Sequence, residues 1–316
     1  LVDAQQNGNT SIIANCRAER VLITNGRVTG VAASATHPTT GQQVFVQIRA
    51  QKVVVAAGAL HSPALLLRSG LDLPQLGRNL LLHPTSAVSG TYAEQIAPWS
   101  GPPQTILCDE FAALSGLYGF RLETAPAHPG LLALSTPWTS AREHRRQMLY
   151  APRKAALIVL VRDQHGGRVR LSRAGRPIIE YRPGAQEQAH LRQGIAAAVR
   201  VHWAAGANDV LTLHTHAQRL QRATANSSAA VDAFCTQLAR RAVDRNWSTL
   251  FSAHQMGTCR MGRTARTAVC DPNGQVFGVR GLFIADGSAF PAASGVNPMI
   301  TIMALAHHTA QRIKSL

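Results

Sequence analysis

Apolar residues in the first fifty positions fall in short runs separated by turn formers. Residues 12–15, 20–24 and 27–33 read as strands, with Asn25-Gly26 supplying a two-residue hairpin turn. A fourth strand, 44–49, follows a loop rich in Pro, Thr and Gly. The next run, 53–57, is apolar without alternation and ends at Gly58. Continuous β-branched residues of this kind predict a strand buried on both faces, as in a parallel sheet covered by helices. Ser62-Pro63 then offers a cap and a first-turn proline ahead of an alanine and three leucines, so a helix is expected there, stopping at Gly70.

From about 85 to 248 the pattern changes. Strand-like stretches at 156–161 and 168–171 accompany one clear amphipathic helix over 187–205. Leu191, Ile195, Val199 and Trp203 recur every four residues on its one face, and Gly206 ends it. The last seventy residues return to the earlier style. The run 282–285 is an apolar strand delivering Asp286-Gly287 at its carboxyl end, where open α/β sheets place ligands. Asn297-Pro298 opens a helix that runs through Ile302, Leu305 and Ala306 to about 313, with Asn as cap and Pro at the first helical position. The expectation is an α/β architecture in which 1–85 and 245–316 form one region and 86–244 is a second, α+β domain inserted into it.

Composition narrows this picture only slightly. A chain of 316 residues that is 46% hydrophobic can bury a core, and no run approaches the 18 or so apolar residues of a membrane-spanning helix. The net charge of +16 comes from arginines spread along the chain, the densest short run being Arg142, Arg145 and Arg146, so no nucleic-acid partner is expected. Five cysteines at irregular spacing argue against a disulfide framework, and His254 with Cys259 and Cys270 has the wrong spacing for a zinc site, so no metal is expected. The start lacks the layout of a secretory signal, which gives a weak preference for a cytoplasmic or membrane-peripheral setting.

Four segments, in order, carry a resemblance. AGALHSPALLLRSGL at 57–71, GRNLLLHP at 77–84, HQMGTCRMG at 254–262 and GLFIADGSAFPAASGVNPMITIMALA at 281–306 resemble consecutive motifs of the glucose-methanol-choline (GMC) oxidoreductases, which use flavin adenine dinucleotide (FAD). The middle strings HPGL at 128–131, LVRDQHGGRVRL at 160–171 and AAGANDVLTLH at 204–214 are similar to the long-chain fatty alcohol oxidase branch. A dinucleotide site also needs a Gly-x-Gly-x-x-Gly turn for the pyrophosphate, and no two glycines here are separated by a single residue. The resemblance therefore implies a partial, Rossmann-like FAD-binding domain whose N-terminal half is missing from this chain and would have to act as its partner.

What the resemblance implies for the site is specific. Removing a hydride from an alcohol carbon requires the hydroxyl proton to leave, and a histidine can accept it near neutral pH. His254 stands where the family keeps its catalytic histidine. Asn297 falls where the family has a second histidine or an asparagine, its amide placed to hydrogen-bond the substrate oxygen while its helix start faces the flavin. Gly58, Asp286, Gly287, Asn297, Pro298 and Met299 are implied cofactor contacts, Asp286 through ribityl hydroxyls, and Ala18 would read the adenine through its backbone. His83, His307 and His308 are expected to be structural. The implied reaction is oxidation of a primary long-chain alcohol to an aldehyde, with oxygen or a redox carrier as acceptor. The alternatives are a dehydrogenase of sterol or sugar-like alcohols serving a quinone or cytochrome, and a catalytically silent fragment that needs a partner chain.

Overall fold

A computed structural model describes residues 2–102 and 104–316 and shows a mixed α/β architecture. Strand Cys16–Thr24 pairs antiparallel with Arg27–Thr36, and Gln43–Arg49 adds a third strand. Asn25 and Gly26 both have positive φ, the backbone that a hairpin turn compatible with strand twist demands. The strand expected at 12–15 does not form. Asn15 itself adopts a left-handed conformation, φ 51°, and its carbonyl closes the sheet end by accepting from Thr36 N, so pairing begins at Cys16.

Val53–Val55 and Leu282–Ile284 form the expected parallel pair, Val53 opposite Leu282. Val53 and Val55 pack into a core with Leu65, Leu66, Leu282 and Ile284, whereas Val54, on the opposite face, is 46% exposed. The expectation of burial on both faces is thus corrected, because among the described residues only one side of this strand is covered. The following helix is also longer than its sequence signals suggested. It spans Gly58–Arg68, so Ser62 and Pro63 lie inside it rather than at its start. Proline removes one helical N–H; the carbonyl of Ala59 that would have received it is met instead by the Thr258 hydroxyl at 2.6 Å.

The middle of the chain builds a six-stranded sheet in the order Arg219–Gln221, Asp209–Thr212, Thr85–Thr91, Lys154–Val161, Phe120–Thr124, Leu107–Cys108. Helices Ala185–Ala204 and Ser228–Ala239 cover one face, where Leu191, Ile195, Val199 and Leu238 meet Val88, Phe120, Leu122 and Val159. The helix lies close against the sheet at Gly194, where any side chain would run into Val159 and Phe120. A fourth sheet joins Arg78–Leu80 to Gly167–Leu171 and Pro177–Glu180, so hydrogen bonds tie the early segment to the middle one. The five cysteines are all free. No helix of the described residues is long and apolar enough to cross a membrane.

Candidate active site

The parallel pair sets up the first half of the site. Asp286 follows its strand and turns a buried carboxylate back into the protein. Oδ2 accepts from Gly58 N at 2.9 Å and from the Ser62 hydroxyl at 2.5 Å, while Oδ1 accepts from Ser288 N at 2.7 Å. The Ser62 hydroxyl in turn accepts from Ala57 N. One carboxylate therefore pins the turn at Gly58, φ 77°, to the turn at Gly287, although the two lie far apart in sequence. Three donors already occupy this carboxylate. Gly287 is closely packed, and a Cβ there would press on Gln255 O and Ile302. Ala18 sits at a bulge opposite Ala33, on the edge of the core that Val55 and Leu65 occupy.

The second half is built on a short antiparallel bridge between Leu81 and Met256, whose backbones exchange both hydrogen bonds. Two residues after Leu81 and two before Met256, the bridge brings His83 opposite His254, with Nδ1 to Nδ1 at 3.2 Å and the rings edge-on. His83, expected to be merely structural, is thus the nearest partner of the candidate base. Its backbone is strained, φ 48° for a non-glycine residue, and is held there by Asp163, whose carboxylate accepts from both Leu82 N and His83 N. Burial, helped by nearby His254, Arg162 and Arg121, pushes the His83 imidazole down to about 3, so it stays neutral. His254 is half-buried, and burial lowers its pKa below the usual imidazole value. Its Nε2 has no hydrogen-bond partner among the described residues.

The loop 293–297 closes the site from the far side. Gly295 N donates to His83 Nε2 at 3.0 Å, Arg162 Nε donates to Ala293 O at 3.1 Å, and the Arg121 guanidinium donates to Gly295 O. His254 and Asn297 are therefore linked through His83 and this loop, but no hydrogen bond joins their side chains. Asn297 also departs from the expected cap. The helix spans Met299–Lys314 with Pro298 at its N-cap, and the carboxamide instead gives Nδ2 to Gln104 Oε1 at 3.1 Å and to Glu123 Oε2 at 3.3 Å. Glu123, 2% exposed on strand Phe120–Thr124, also accepts from Gln104 Nε2. A carboxylate can only accept. Both hydrogens of Nδ2 are thereby used, and only Oδ1 of Asn297 is left to meet a substrate, as an acceptor rather than the donor first expected. Glu123 had no signal of its own in the sequence, and His83 only its place in the 77–84 motif; the Leu81 to Met256 register and the clamp on the 293–297 loop reveal their partners.

Whether these residues suit a flavin can be tested on the surface they leave. Met299, Ile300 and Met303 are exposed on the helix that follows the 293–297 loop, Val54 is exposed on the parallel pair, and no atom lies within 4 Å of where a side chain would begin at Gly58. The first N–H groups of the Met299–Lys314 helix have no helical acceptor, since the ladder begins with Ile302 N to Pro298 O. An apolar wall ending in free N–H donors fits a flat ring with a polar, electron-rich edge.

Two family models match the chain, both described as GMC oxidoreductase: the N-terminal model over residues 1–85 and the C-terminal model over 163–306. The chain belongs to the GMC oxidoreductase family. It is 36% identical to the long-chain-alcohol oxidase FAO4B of Arabidopsis thaliana, over 99% of this chain and 43% of that protein. An uncharacterized GMC-type oxidoreductase of Mycobacterium tuberculosis H37Rv is 34% identical over 93% of this chain and 44% of its own length. The chain thus spans less than half the length of these relatives. Among solved structures, formate oxidase of Aspergillus oryzae RIB40 superposes with a TM-score of 0.66 at 15% identity, covering 98% of this chain and 62% of that one. Pyridoxine 4-oxidase from Mesorbium loti gives 0.62 at 21%, covering 95% and 57%. Both are likenesses of fold.

Proposed function

We propose that this chain supplies the catalytic residues of an FAD-dependent oxidase that converts a primary long-chain alcohol to its aldehyde. The ends of the chain would form part of the FAD-binding region, and the six-stranded sheet unit would be the inserted substrate domain. A segment carrying the pyrophosphate turn would complete the dinucleotide site as a partner to this chain. The relatives' name as long-chain-alcohol oxidases supports the substrate class. The observation that carries the reading is the His254 ring, held by His83 at one edge, with His83 in turn tied through Gly295 N to the loop that leads to Asn297.

Flavin, when bound, would take the hydride from the alcohol carbon, with oxygen as the terminal acceptor. Gly58, Gly287, Pro298 and Met299 would line its ring and ribityl chain, and Ala18 would lie toward its adenine. Asp286 would hold the Gly58 and Gly287 turns in place for it. His254 would take the hydroxyl proton, and Asn297 Oδ1 would orient the hydroxyl. Burial keeps His254 neutral through the neutral range, as a proton acceptor must be. The direct test is His254→Ala in the flavin-loaded enzyme, assayed with long-chain alcohols under air. Turnover should fall by about a hundredfold or more with flavin content unchanged. Turnover near that of the parent would remove His254 from the chemistry, and rapid dye reduction without peroxide would replace the oxidase with a dehydrogenase.

A further inference from the structure

The hydrogen atoms around His254 can be placed by counting donors. A peptide N–H only donates, so Gly295 N occupies the lone pair of His83 Nε2 at 3.0 Å. Neutral His83 must then carry its ring hydrogen on Nδ1, which makes the 3.2 Å contact a donation from His83 Nδ1 to His254 Nδ1. Neutral His254 is left with its own hydrogen on Nε2, the nitrogen without a protein partner.

We propose that His83 is a positioning residue that locks resting His254 in its Nε2–H form, so that the site first grips the alcohol oxygen with a donor and becomes proton-accepting only when the Gly295 peptide turns away from His83. This rests on the reading that His254 meets the alcohol oxygen, and deepens it. To accept a proton, Nε2 must be bare, which moves the His254 hydrogen to Nδ1. His83 Nδ1 must then accept, and the His83 hydrogen must sit on Nε2, directly against Gly295 N–H. Two donors facing each other at that distance repel, so the accepting state is closed while the peptide keeps its orientation. Glycine is the residue that can release it, because Gly295 already has φ 71° and no Cβ restricts its rotation.

The resting state has a matching partner. With both hydrogens of Asn297 Nδ2 spent on Gln104 and Glu123, its Oδ1 receives the hydroxyl hydrogen while His254 Nε2–H donates to the hydroxyl oxygen. The alcohol is held by one acceptor and one donor in its neutral form. The same lock opposes a second proton on His254, since an imidazolium would set Nδ1–H against His83 Nδ1–H. Other charged or titratable groups facing the pair are Arg162 and Arg121 beside His83, Asp163 under its backbone with Tyr181 on that carboxylate, and Glu123 beyond Asn297.

His83→Asn tests the lock. Asparagine tolerates the left-handed backbone, and its amide can turn either its oxygen or its nitrogen toward His254. In the flavin-loaded enzyme the acid limb of the kcat/KM profile should move to higher pH by ~1 unit, because the charged imidazolium gains an acceptor. A limb that stays put, with flavin content and melting temperature like the parent's, would overturn the proposal. The unmodified enzyme gives a second reading that does not depend on that variant folding. With 15N-labelled histidine, the His254 signals are identified by their loss in His254→Ala, and Nε2 should resonate as a protonated nitrogen at neutral pH. A bare Nε2 there would refute the lock. Parent-like turnover in His254→Ala would sink the proposed function instead, while leaving the tautomer measurement to judge the hydrogen-bond directions.

Discussion

Two helices of this chain show how differently similar amphipathic patterns can end. Ala185–Ala204 buries nine residues against the six-stranded sheet and its partner helix, and Gly194 sits where no side chain would fit. Met299–Lys314 buries Thr309 alone, and Met299, Ile300 and Met303 are each more than half exposed. Periodicity marks which side of a helix is apolar, but the cover comes from elsewhere in space. The first helix finds its cover inside the chain. The second packs Ile302 and Leu305 on the small cluster of Leu81, Met256, Phe290 and Ala293 and leaves Met299, Ile300 and Met303 open, on the wall proposed above to receive the cofactor.

The sharpest way to break this contrast is Leu191→Ala. Leu191 is fully buried between helix and sheet, and its truncation should cost about 2–5 kcal/mol, read by chemical denaturation. A loss under half a kcal/mol would mean the middle core is not the stabilising centre. Asp286→Ala comes next, at about 1–3 kcal/mol, because the N–H groups of Gly58 and Ser288 lose their shared acceptor. The same variant should retain flavin poorly in the whole enzyme. Unchanged cofactor content after purification would show that the tie between the two turns does not shape the cofactor site.

Acid should weaken the fold through its buried histidines. His202 and His214, both in the middle unit, are pushed down to about 4 by burial, against 6.5 in an unfolded chain. A group whose folded pKa is depressed stabilises the fold above its unfolded pKa, and that stability is lost as pH falls through the folded one. Asp163, pushed up to about 6 by burial, acts in the opposite sense between 3.8 and 6, and the histidine shifts outweigh it. The denaturation midpoint should therefore fall as pH drops from 6.5 to 4. A midpoint that rises over that window would contradict the buried, neutral state of both histidines.

Much of this was legible in the sequence because it depends on local chemistry. Asn25-Gly26, the 191–203 stripe and the order of the four motifs need no distant partner to be read. What could not be read depends on register and long-range counting. The helix begins at Gly58 rather than Ser62 because Thr258 satisfies the carbonyl that Pro63 leaves open, and Thr258 is far away in sequence. His83 looked structural because nothing near it names His254; the bridge from Leu81 to Met256 does. Asn297 looked like a cap because Asn-Pro so often is one, whereas its amide is claimed by Glu123 on a strand of the other unit. Residues whose roles are set by one distant contact are invisible to pattern, and the candidate site is made almost entirely of such residues.

The smallest expected effect is the most discriminating. Ile300 is 65% exposed on the first turn of the open helix, so Ile300→Ser should change the stability of this chain by no more than about 0.5 kcal/mol. The flavin-loaded enzyme should nevertheless lose cofactor more readily, because a polar side chain would face the ring. Destabilisation as large as that of Leu191→Ala would mean that the helix is covered within the fold after all, and the contrast between the two helices would fail. Neutral stability with unchanged flavin retention would keep the contrast but move the cofactor off this wall. Only neutral stability joined to weaker retention supports both halves of the argument, since no single buried or exposed surface would give that combination unless the apolar face were reserved for a ligand.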